Sequence, residues 1–207
     1  MTEVYFFQIP NNFNTEYIRT VFPFSEERLK NPSSVPHIKF LSSLSGEAIL
    51  KTVAAKRLKL QTDEILIERT HSGKPYFKDF PYIHFNISHS NNAVAVAVSD
   101  FPIGIDTEKL KTPNFKVSDR FFCADEKLYI KSSAAPDLAF YEIWTAKESY
   151  FKRSGEGISA SFSKVSVLNE NIKSSIHTFK INDFLISLCC ENPTNFTFHR
   201  ITEDFFN

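Results

Sequence analysis

Residues 82–105 contain three consecutive β-strand patterns, and this run constrains the fold more than any other part of the chain. The segment YIHFNISHS (82–90) alternates apolar and polar residues, which is typical of a half-buried strand. Asn91 and Asn92 predict a tight turn. AVAVAVS (93–99) then predicts a second strand, with valines on one face and only alanines on the other. Because alanine side chains are small, that face lets another element approach closely.

The third strand of this run leads into two carboxylates. An apolar strand from Phe101 to Ile105 continues into GIDTEKL (104–110), which places Asp106 and Glu108 two residues apart. Residues at i and i+2 of an extended chain point to the same side, and two like charges there repel unless a cation joins them. Oxygen ligands without a nearby histidine or cysteine favour Mg²⁺ over zinc. The pattern fits a magnesium site, and it also fits a solvent-facing acidic pair at a strand end.

A second candidate site lies in WTAKESYFKRSGEG (144–157). Glu148 and Lys152 are four residues apart and share one face of a predicted helix. The same spacing is typical of an ordinary surface pair, which stabilises a helix by only a few tenths of a kcal/mol. Trp144, the single tryptophan, is most simply a core residue.

A third candidate is His89, which lies between Ser88 and Ser90 at the end of a predicted strand. Imidazole and hydroxyl groups can all donate hydrogen bonds to a phosphate, although a lone histidine is often structural. Serine–histidine hydrolase chemistry is not favoured, because adjacent strand residues point to opposite faces.

The remaining patterns predict an α+β fold with antiparallel meanders. Asp137 is the expected N-cap of the helix that carries Glu148, and Gly155 is its expected stop. The other predicted elements are a strand at 4–9, a loop over 10–36, helices near 40–58 and 124–133, a turn at 71–77, and strands at 165–168, 177–181, 185–190 and 197–201.

Composition excludes several classes of protein. The 207 residues carry 24 Lys+Arg and 24 Asp+Glu, so no global field selects nucleic acid or an anionic membrane. No run approaches the about 18 apolar residues of a membrane span, and the acidic, proline-stopped N-terminus MTEVYFFQIP is not the pattern expected of a signal peptide. Three cysteines, at 123, 189 and 190, fit buried thiols rather than disulfides or zinc ligands. We therefore expect a protein of the reducing cytoplasm.

Taken in order, these motifs resemble one known family. The chain reads GKP (73–75), FNISHS (85–90), GIDTE (104–108) and WTAKESYFK (144–152), with RFF (120–122) and GEGIS (155–159) at matching places. It resembles the 4′-phosphopantetheinyl transferases, in their larger, surfactin-synthetase-activating (Sfp-type) branch. The resemblance covers most of the chain, from about residue 25 to 190.

The resemblance implies an activity and a fold. Members transfer the phosphopantetheine arm of coenzyme A to a serine of an apo acyl or peptidyl carrier protein, need Mg²⁺, and release adenosine 3′,5′-bisphosphate. The implied fold is an α+β pseudo-dimer of two similar halves with antiparallel sheets and a cleft between them. Residues 1–103 would form the N-terminal half, with the coenzyme A contacts. Residues 104–207 would form the C-terminal half, with the metal and catalytic residues. A monomer is expected.

The resemblance also assigns roles to the motif residues. Asp106, Glu108 and Glu148 would be the metal ligands. Glu148 and Lys152 would be catalytic, with Glu148 or a metal-bound water as the base. The residues that would contact coenzyme A are Gly73, Lys74, Pro75, Ser88, His89 and Lys152. For the carrier protein, Phe121, Phe122 and Tyr129 offer apolar contact, and we expect one of the two phenylalanines to be exposed at the cleft rim.

One position departs from the family pattern. An arginine two to four residues before the glycine of LSSLSGEA (41–48) commonly binds the coenzyme A 3′-phosphate, but Ser42, Ser43 and Leu44 stand there in this chain. Arg28, Lys30 and Lys39 are the candidates to replace it.

Two other classes of function remain open to the same residues. An Mg²⁺-dependent phosphodiesterase or phosphatase would use the carboxylates with water as its nucleophile. An inert module that binds coenzyme A or a carrier protein would need none of the catalytic groups. The retention of Asp106, Glu108, Glu148 and Lys152 argues against the inert module.

Overall fold

A computed structural model describes residues 1–14, 16–18, 22–25, 27–30, 34–157 and 161–206. The last two residues of the GEGIS motif, at 158 and 159, therefore lie outside the described residues. The strands are β1 Glu3–Gln8, β2 Ile67–Arg69, β3 Pro75–Phe77, β4 His84–Ser90, β5 Ala93–Ser99, β6 Gly104–Lys109, β7 Ile176–Ile181, β8 Phe184–Cys189 and β9 Thr197–Ile201. The helices are α1 His37–Leu58, α2 Lys116–Phe121, α3 Ala124–Ser132, α4 Pro136–Ser154 and α5 Glu170–Lys173, with 3₁₀ turns at Thr62–Glu64 and Glu203–Phe206.

Two main sheets pack face to face between two long helices. The first sheet has the order β4-β5-β1-β9, the second has the order β6-β8-β7, and β2 and β3 form a separate hairpin. The valines of β5 belong to the core beneath α1, whereas its alanines meet Ile105 and residues of β8 across the sheet interface. The alanine face therefore works as the sequence predicts, because only small side chains let the two sheets approach. Helix α4 covers the other face of the second sheet, through Ile143 and Leu185.

This architecture is the α+β fold with antiparallel sheets that the sequence predicts. The boundary between the two halves stays a prediction, and one feature crosses it. Strand β9, near the C-terminus, pairs in parallel with β1 in the first sheet. The chain thus returns to its N-terminal sheet after completing the second one.

Several local predictions are wrong, each for a physical reason. The third strand begins at Gly104 rather than Phe101, so both carboxylates lie within it. Helix α4 begins at Pro136 with Ala135 as N-cap, and Asp137 lies in its first turn. Proline suits this first position, because the N–H that it lacks would have had no helical partner. Helix α2 and the hairpin of β2 and β3 are too short to produce a clear periodic pattern.

The predicted strand at 165–168 is a turn instead. Charged side chains satisfy its backbone groups, since Lys147 Nζ donates to the Val165 carbonyl at 2.5 Å and the Val167 N–H donates to Glu126 Oε1 at 2.9 Å. Those bonds replace the ladder that a strand would need.

Candidate active site

Asp106 is the centre of the site and is almost fully buried. Its Oδ1 atom accepts hydrogen bonds from Lys152 Nζ at 2.6 Å and from Ser88 Oγ at 2.8 Å. Its Oδ2 atom is buried without a hydrogen-bond partner. Ser88 from β4 and Lys152 from α4 thus both bind the Asp106 carboxylate, which β6 contributes. All three residues were candidates from the sequence.

Lys152 pairs with Asp106 and not with Glu148, its neighbour one turn earlier. The surface-pair interpretation of Glu148 and Lys152 is therefore wrong for the lysine. Its side chain is about three-quarters buried and links α4 to two sheets, because the Lys152 ammonium also donates to Ser88 Oγ at 3.1 Å. A lysine in this position keeps positive charge beside the buried carboxylate.

Gly104 explains how α4 reaches this position. A Cβ atom at residue 104 would lie 1.9 Å from the Ser149 carbonyl oxygen and 2.5 Å from the Arg153 backbone nitrogen. Both are backbone atoms of α4, so no side-chain adjustment could make room. The glycine lets the helix rest directly on β6, which brings Glu148 and Lys152 to Asp106.

We expect Gly104→Ala to lower the free energy of unfolding by about 1–3 kcal/mol, because the helix must move away from the strand. Urea unfolding followed by circular dichroism measures this loss. Gly46→Ala is the matched control, since its Cβ would meet the flexible Ile87 side chain at 2.9 Å instead of backbone. A smaller loss for Gly104→Ala than for Gly46→Ala would contradict the close-packing role of Gly104.

Glu108 lies next along β6, and its carboxylate is bound by a neighbouring serine. Ser90 Oγ donates to Glu108 Oε2 at 2.6 Å. Burial raises the pKa of Glu108 and Asp106 adds to the rise, while hydrogen bonds from Ser90 and Trp144 oppose it. Trp144 is thus more than a core residue, and its partial exposure next to Glu108 could not be read from its spacing alone.

Glu148 is the most perturbed carboxyl group of the site. Burial, followed by the nearby charge of Asp106, raises its pKa to about 7, with Lys152 opposing the rise and Glu108 adding to it. A carboxyl group with such a pKa can accept and release a proton near neutrality.

The three carboxylates offer the right donors for a hard divalent cation, but they are not yet gathered around one point. Asp106 Oδ2 lacks a partner, and the charge of Asp106 raises the pKa of both Glu108 and Glu148. Across the described ranges, however, no group of three or more His, Cys, Asp or Glu side chains is close enough to hold a metal ion. The donor chemistry therefore fits Mg²⁺, although the described arrangement does not bring three such ligands together.

Two clefts are lined by residues that the sequence singles out. A cleft of about 800 Å³ is lined by His89, Lys39, Lys109 and Glu108 among others. Desolvation, helped by Lys152 and Lys39, lowers the pKa of His89. The second cleft, of about 460 Å³, is lined by residues that include the sequence-predicted Lys74 and Pro75, together with His84 and Arg153.

Lys74 is bonded to the C-terminal end of α4. Its Nζ atom donates to the Arg153 carbonyl at 2.5 Å, and burial followed by the charge of Arg153 lowers its pKa. Gly155 ends α4 in the left-handed conformation, and a Cβ there would lie 3.0 Å from Lys74 Cδ. Gly73 forms the turn before it with φ +85°. The GKP motif thus contacts the helix that carries Glu148 and Lys152.

A buried ion pair supports the same helix, and sequence reasoning missed it. Lys147 and Glu126 are fully buried, with Lys147 Nζ 2.9 Å from Glu126 Oε2. Lys147 and Glu126 are 21 positions apart in the chain, so no local sequence pattern links them. The pair fixes α3 and the turn at 165–167 against α4.

The two phenylalanines proposed for carrier contact differ in exposure. Phe122 is buried at 3% exposure and belongs to the core of the second half. Phe121 is partly exposed and contacts the rings of Trp144 and Phe162. Phe121 is therefore the one that remains available, and its place at the cleft rim stays a prediction.

Comparison with known proteins matches both parts of the chain to one family. Residues 26–100 match the family model for the N-terminal part of 4′-phosphopantetheinyl transferases, and residues 102–200 match the model for the 4′-phosphopantetheinyl transferase superfamily. The chain is 33% identical over 166 residues to 4′-phosphopantetheinyl transferase gsp of Aneurinibacillus migulanus, covering 76% of this chain and 68% of that protein. It is 35% identical over 127 residues to 4′-phosphopantetheinyl transferase Sfp of Bacillus subtilis (strain 168), covering 60% and 57% respectively. It is also 30% identical over 141 residues to the L-aminoadipate-semialdehyde dehydrogenase-phosphopantetheinyl transferase of Xenopus laevis, covering 60% and 46%.

The described residues bring buried carboxylates and a lysine together, and the matches supply the class of protein. The chain belongs to the 4′-phosphopantetheinyl transferase family. Its similarity to gsp and Sfp places it in the Sfp-type branch of these transferases. It spans between about half and two thirds of the length of its bacterial relatives. None of its described helices is long and apolar enough to cross a membrane.

Proposed function

We propose that this chain transfers the phosphopantetheine arm of coenzyme A to a serine hydroxyl of an apo acyl or peptidyl carrier protein. The observation that carries the proposal is the bridge from Lys152 to Asp106 and Ser88, beside the carboxyl groups of Glu108 and Glu148. Lysines and histidines line both clefts, and such linings suit a ligand that carries several phosphate groups. The relatives are named 4′-phosphopantetheinyl transferases, which supports phosphopantetheine as the transferred group.

The residues divide the work of binding between the halves. Gly73, Lys74 and Pro75 would line the adenine in the smaller cleft, whereas His89 and Lys152 would contact the phosphates. Ser88 is 4% exposed and already bonded to Asp106, so its contact with the ligand would be through Lys152. Lysine suits a phosphate site because its ammonium is a compact charge on a flexible stem.

Asp106, Glu108 and Glu148 would hold Mg²⁺. When bound, the ion neutralises the pyrophosphate and orients its phosphorus atoms for attack. The unpartnered Asp106 Oδ2 supports this assignment. The chain's own contribution is a buried, oxygen-lined site in which charge is fixed before the reaction begins.

Glu148 would accept the proton of the attacking serine. The serine oxygen forms a bond to the β-phosphorus of coenzyme A while the bond to the bridging oxygen breaks. The electron pair leaves with adenosine 3′,5′-bisphosphate, and the serine proton moves to Glu148. A raised pKa keeps Glu148 basic enough for this transfer at neutral pH.

The test is the intact mass of an apo carrier protein after incubation with the chain, coenzyme A and Mg²⁺. A mass gain of one phosphopantetheine group at serine, lost in excess chelator, is the expected result. Hydrolysis of coenzyme A without modification of the carrier would support a phosphodiesterase instead. Unchanged carrier and coenzyme A would support an inert binding module.

Arg28 is the candidate that replaces the missing helix arginine. Its Nη2 atom donates to Ser43 Oγ at 2.9 Å, and its Nε donates to Glu47 Oε2 at 2.7 Å. A guanidinium from the preceding loop thus lies where a side chain at 43 would project. Lys39 shares the same face of α1 and lines the larger cleft.

We expect Arg28→Met to raise the KM for coenzyme A by about 10-fold, which corresponds to one lost charge-assisted hydrogen bond to the 3′-phosphate. The KM for 3′-dephospho-coenzyme A should change little, and steady-state kinetics with both substrates measures the difference. Lys51→Met, which also removes a partner of Glu47, is the control. Equal losses with the two substrates would exclude the 3′-phosphate role.

We further propose that the chain acts as a monomer in the cytoplasm. Its three cysteines are free thiols, and two of them are buried. Such thiols match a reducing compartment, where coenzyme A is also available.

A further inference from the structure

Strands β4 and β6 lie at the edges of different sheets, and side chains join them. An edge strand leaves backbone N–H groups without a neighbour, and these need an acceptor when buried. Along β4, every second side chain supplies one. The three bonds run from the Ile105 N–H to Asn86 Oδ1 at 2.9 Å, from the Thr107 N–H to Ser88 Oγ at 3.2 Å, and from the Lys109 N–H to Ser90 Oγ at 3.2 Å.

We call these three bonds the side-chain ladder. It follows from the period of two in each strand, since residues 86, 88 and 90 point to one side of β4 and meet residues 105, 107 and 109 of β6. The polar face of FNISHS is thus used to complete the edge of the second sheet. All three bonds of the side-chain ladder have this structural role.

The two serines do something that Asn86 does not. A hydroxyl that accepts a hydrogen bond still has its own proton to donate. Ser88 gives its proton to Asp106 Oδ1 at 2.8 Å, and Ser90 gives its proton to Glu108 Oε2 at 2.6 Å. At the bond between Asn86 and Ile105, the position equivalent to Asp106 and Glu108 is Gly104, so there is no carboxylate to bind.

Each serine therefore binds one oxygen of a carboxylate. For Asp106 the second oxygen, Oδ2, is the buried atom without a partner. A carboxylate held by a bond of 2.6–2.8 Å from a nearly immobile hydroxyl has little freedom to rotate. Ser88 is nearly fully buried and both serines are fixed by a backbone N–H.

We propose that Ser88 and Ser90 are positioning residues, which orient the carboxylates of Asp106 and Glu108 toward one divalent cation. The inference rests on the proposed function, because it takes these carboxylates as metal ligands. Residues that orient metal ligands typically change metal affinity by 10- to 100-fold when they are removed. The ladder thus sets the direction of the ligands as well as the distance between the strands.

Ser90→Ala tests the proposal without touching Lys152. The probe is Mn²⁺, titrated into the full chain in the presence of coenzyme A, with free Mn²⁺ measured by electron paramagnetic resonance. We expect the Mn²⁺ Kd to rise 10- to 100-fold in Ser90→Ala, and Ser90→Thr, which keeps the hydroxyl, to restore it to within about threefold. If Ser90→Ala does not fold, Ser90→Cys, a weaker donor of similar size, carries the same measurement.

Asn86→Ala is the matched control, because it removes a rung without a carboxylate. It should lower the melting temperature about as much as Ser90→Ala but leave the Mn²⁺ Kd within about twofold, since no ligand loses its donor. An unchanged Kd in Ser90→Ala would overturn the inference while the metal assignment stands. An equal rise in Asn86→Ala would also overturn it, because the ladder would then act only by pairing the strands. If the unaltered chain binds no Mn²⁺, the metal assignment fails and the inference fails with it.

Discussion

Replacing Glu148 by Gln is expected to lower turnover by about 100-fold or more, because the reaction loses its general base and a metal ligand at once. The amide is nearly the same size as the carboxyl group, so the fold should survive. Carrier-protein modification under single-turnover conditions measures the loss. Activity of the unaltered chain should rise with pH as Glu148 loses its proton, and Mg²⁺ should move this rise below the pKa of about 7 that burial and Asp106 give Glu148 in the metal-free chain.

The same substitution should stabilise the metal-free protein at neutral pH. Glu148 binds its proton more tightly in the folded chain than in the unfolded chain, where the pKa is 4.5. Stability contributed by the protonated group is therefore lost as pH rises from 4.5 towards 7. Glu148→Gln removes this loss. Between pH 4.5 and 7, the melting temperature of the variant should therefore fall less than that of the unaltered chain.

Glu142→Gln is the control for both measurements. Glu142 lies on the same helix and accepts a hydrogen bond from the Tyr129 hydroxyl at 2.8 Å, away from the carboxylate cluster. Turnover should remain close to normal in this variant. Near-normal turnover in Glu148→Gln as well would move the base to another group.

Lys147→Met is expected to lower the free energy of unfolding by about 3–5 kcal/mol, because it leaves the charge of Glu126 buried without a partner. Lys147 Nζ contacts both oxygens of Glu126 and the Val165 carbonyl, so α3, α4 and the turn at 165–167 lose their common link. Urea unfolding monitored by Trp144 fluorescence measures the change. Part of the loss should return in the double variant Lys147→Met/Glu126→Gln, in which no uncompensated charge remains.

The control is Lys173→Met, which breaks a pair with Glu170 whose side chains are 62% and 87% exposed. Exposed pairs of this kind contribute less than about 1 kcal/mol. A loss in Lys147→Met as small as that of the control would show that the buried pair adds nothing to the stability of the second half.

Local patterns in the sequence determined the elements that build the site. The alternation of 82–90, the valine and alanine faces of 93–99 and the carboxylates at 106 and 108 are properties of a strand's period of two. They needed no tertiary contact to be recognised, and the order of the motifs was sufficient to indicate the family. The spacing of four residues between Glu148 and Lys152 likewise sufficed to place both on one helix face.

Tertiary structure decided which partner each of these residues has. Lys152 binds Asp106 instead of Glu148, because Gly104 lets α4 rest against β6 and brings the lysine within 2.6 Å of that carboxylate. The turn at 165–168 replaced a predicted strand because the Glu126–Lys147 pair took its hydrogen-bonding groups. A sequence pattern indicates on which face of its strand or helix a side chain lies. The charged group that binds this side chain comes from a residue distant in the chain. The pairing of β4 with β6 through serine and asparagine side chains likewise exists only once the two sheets have met.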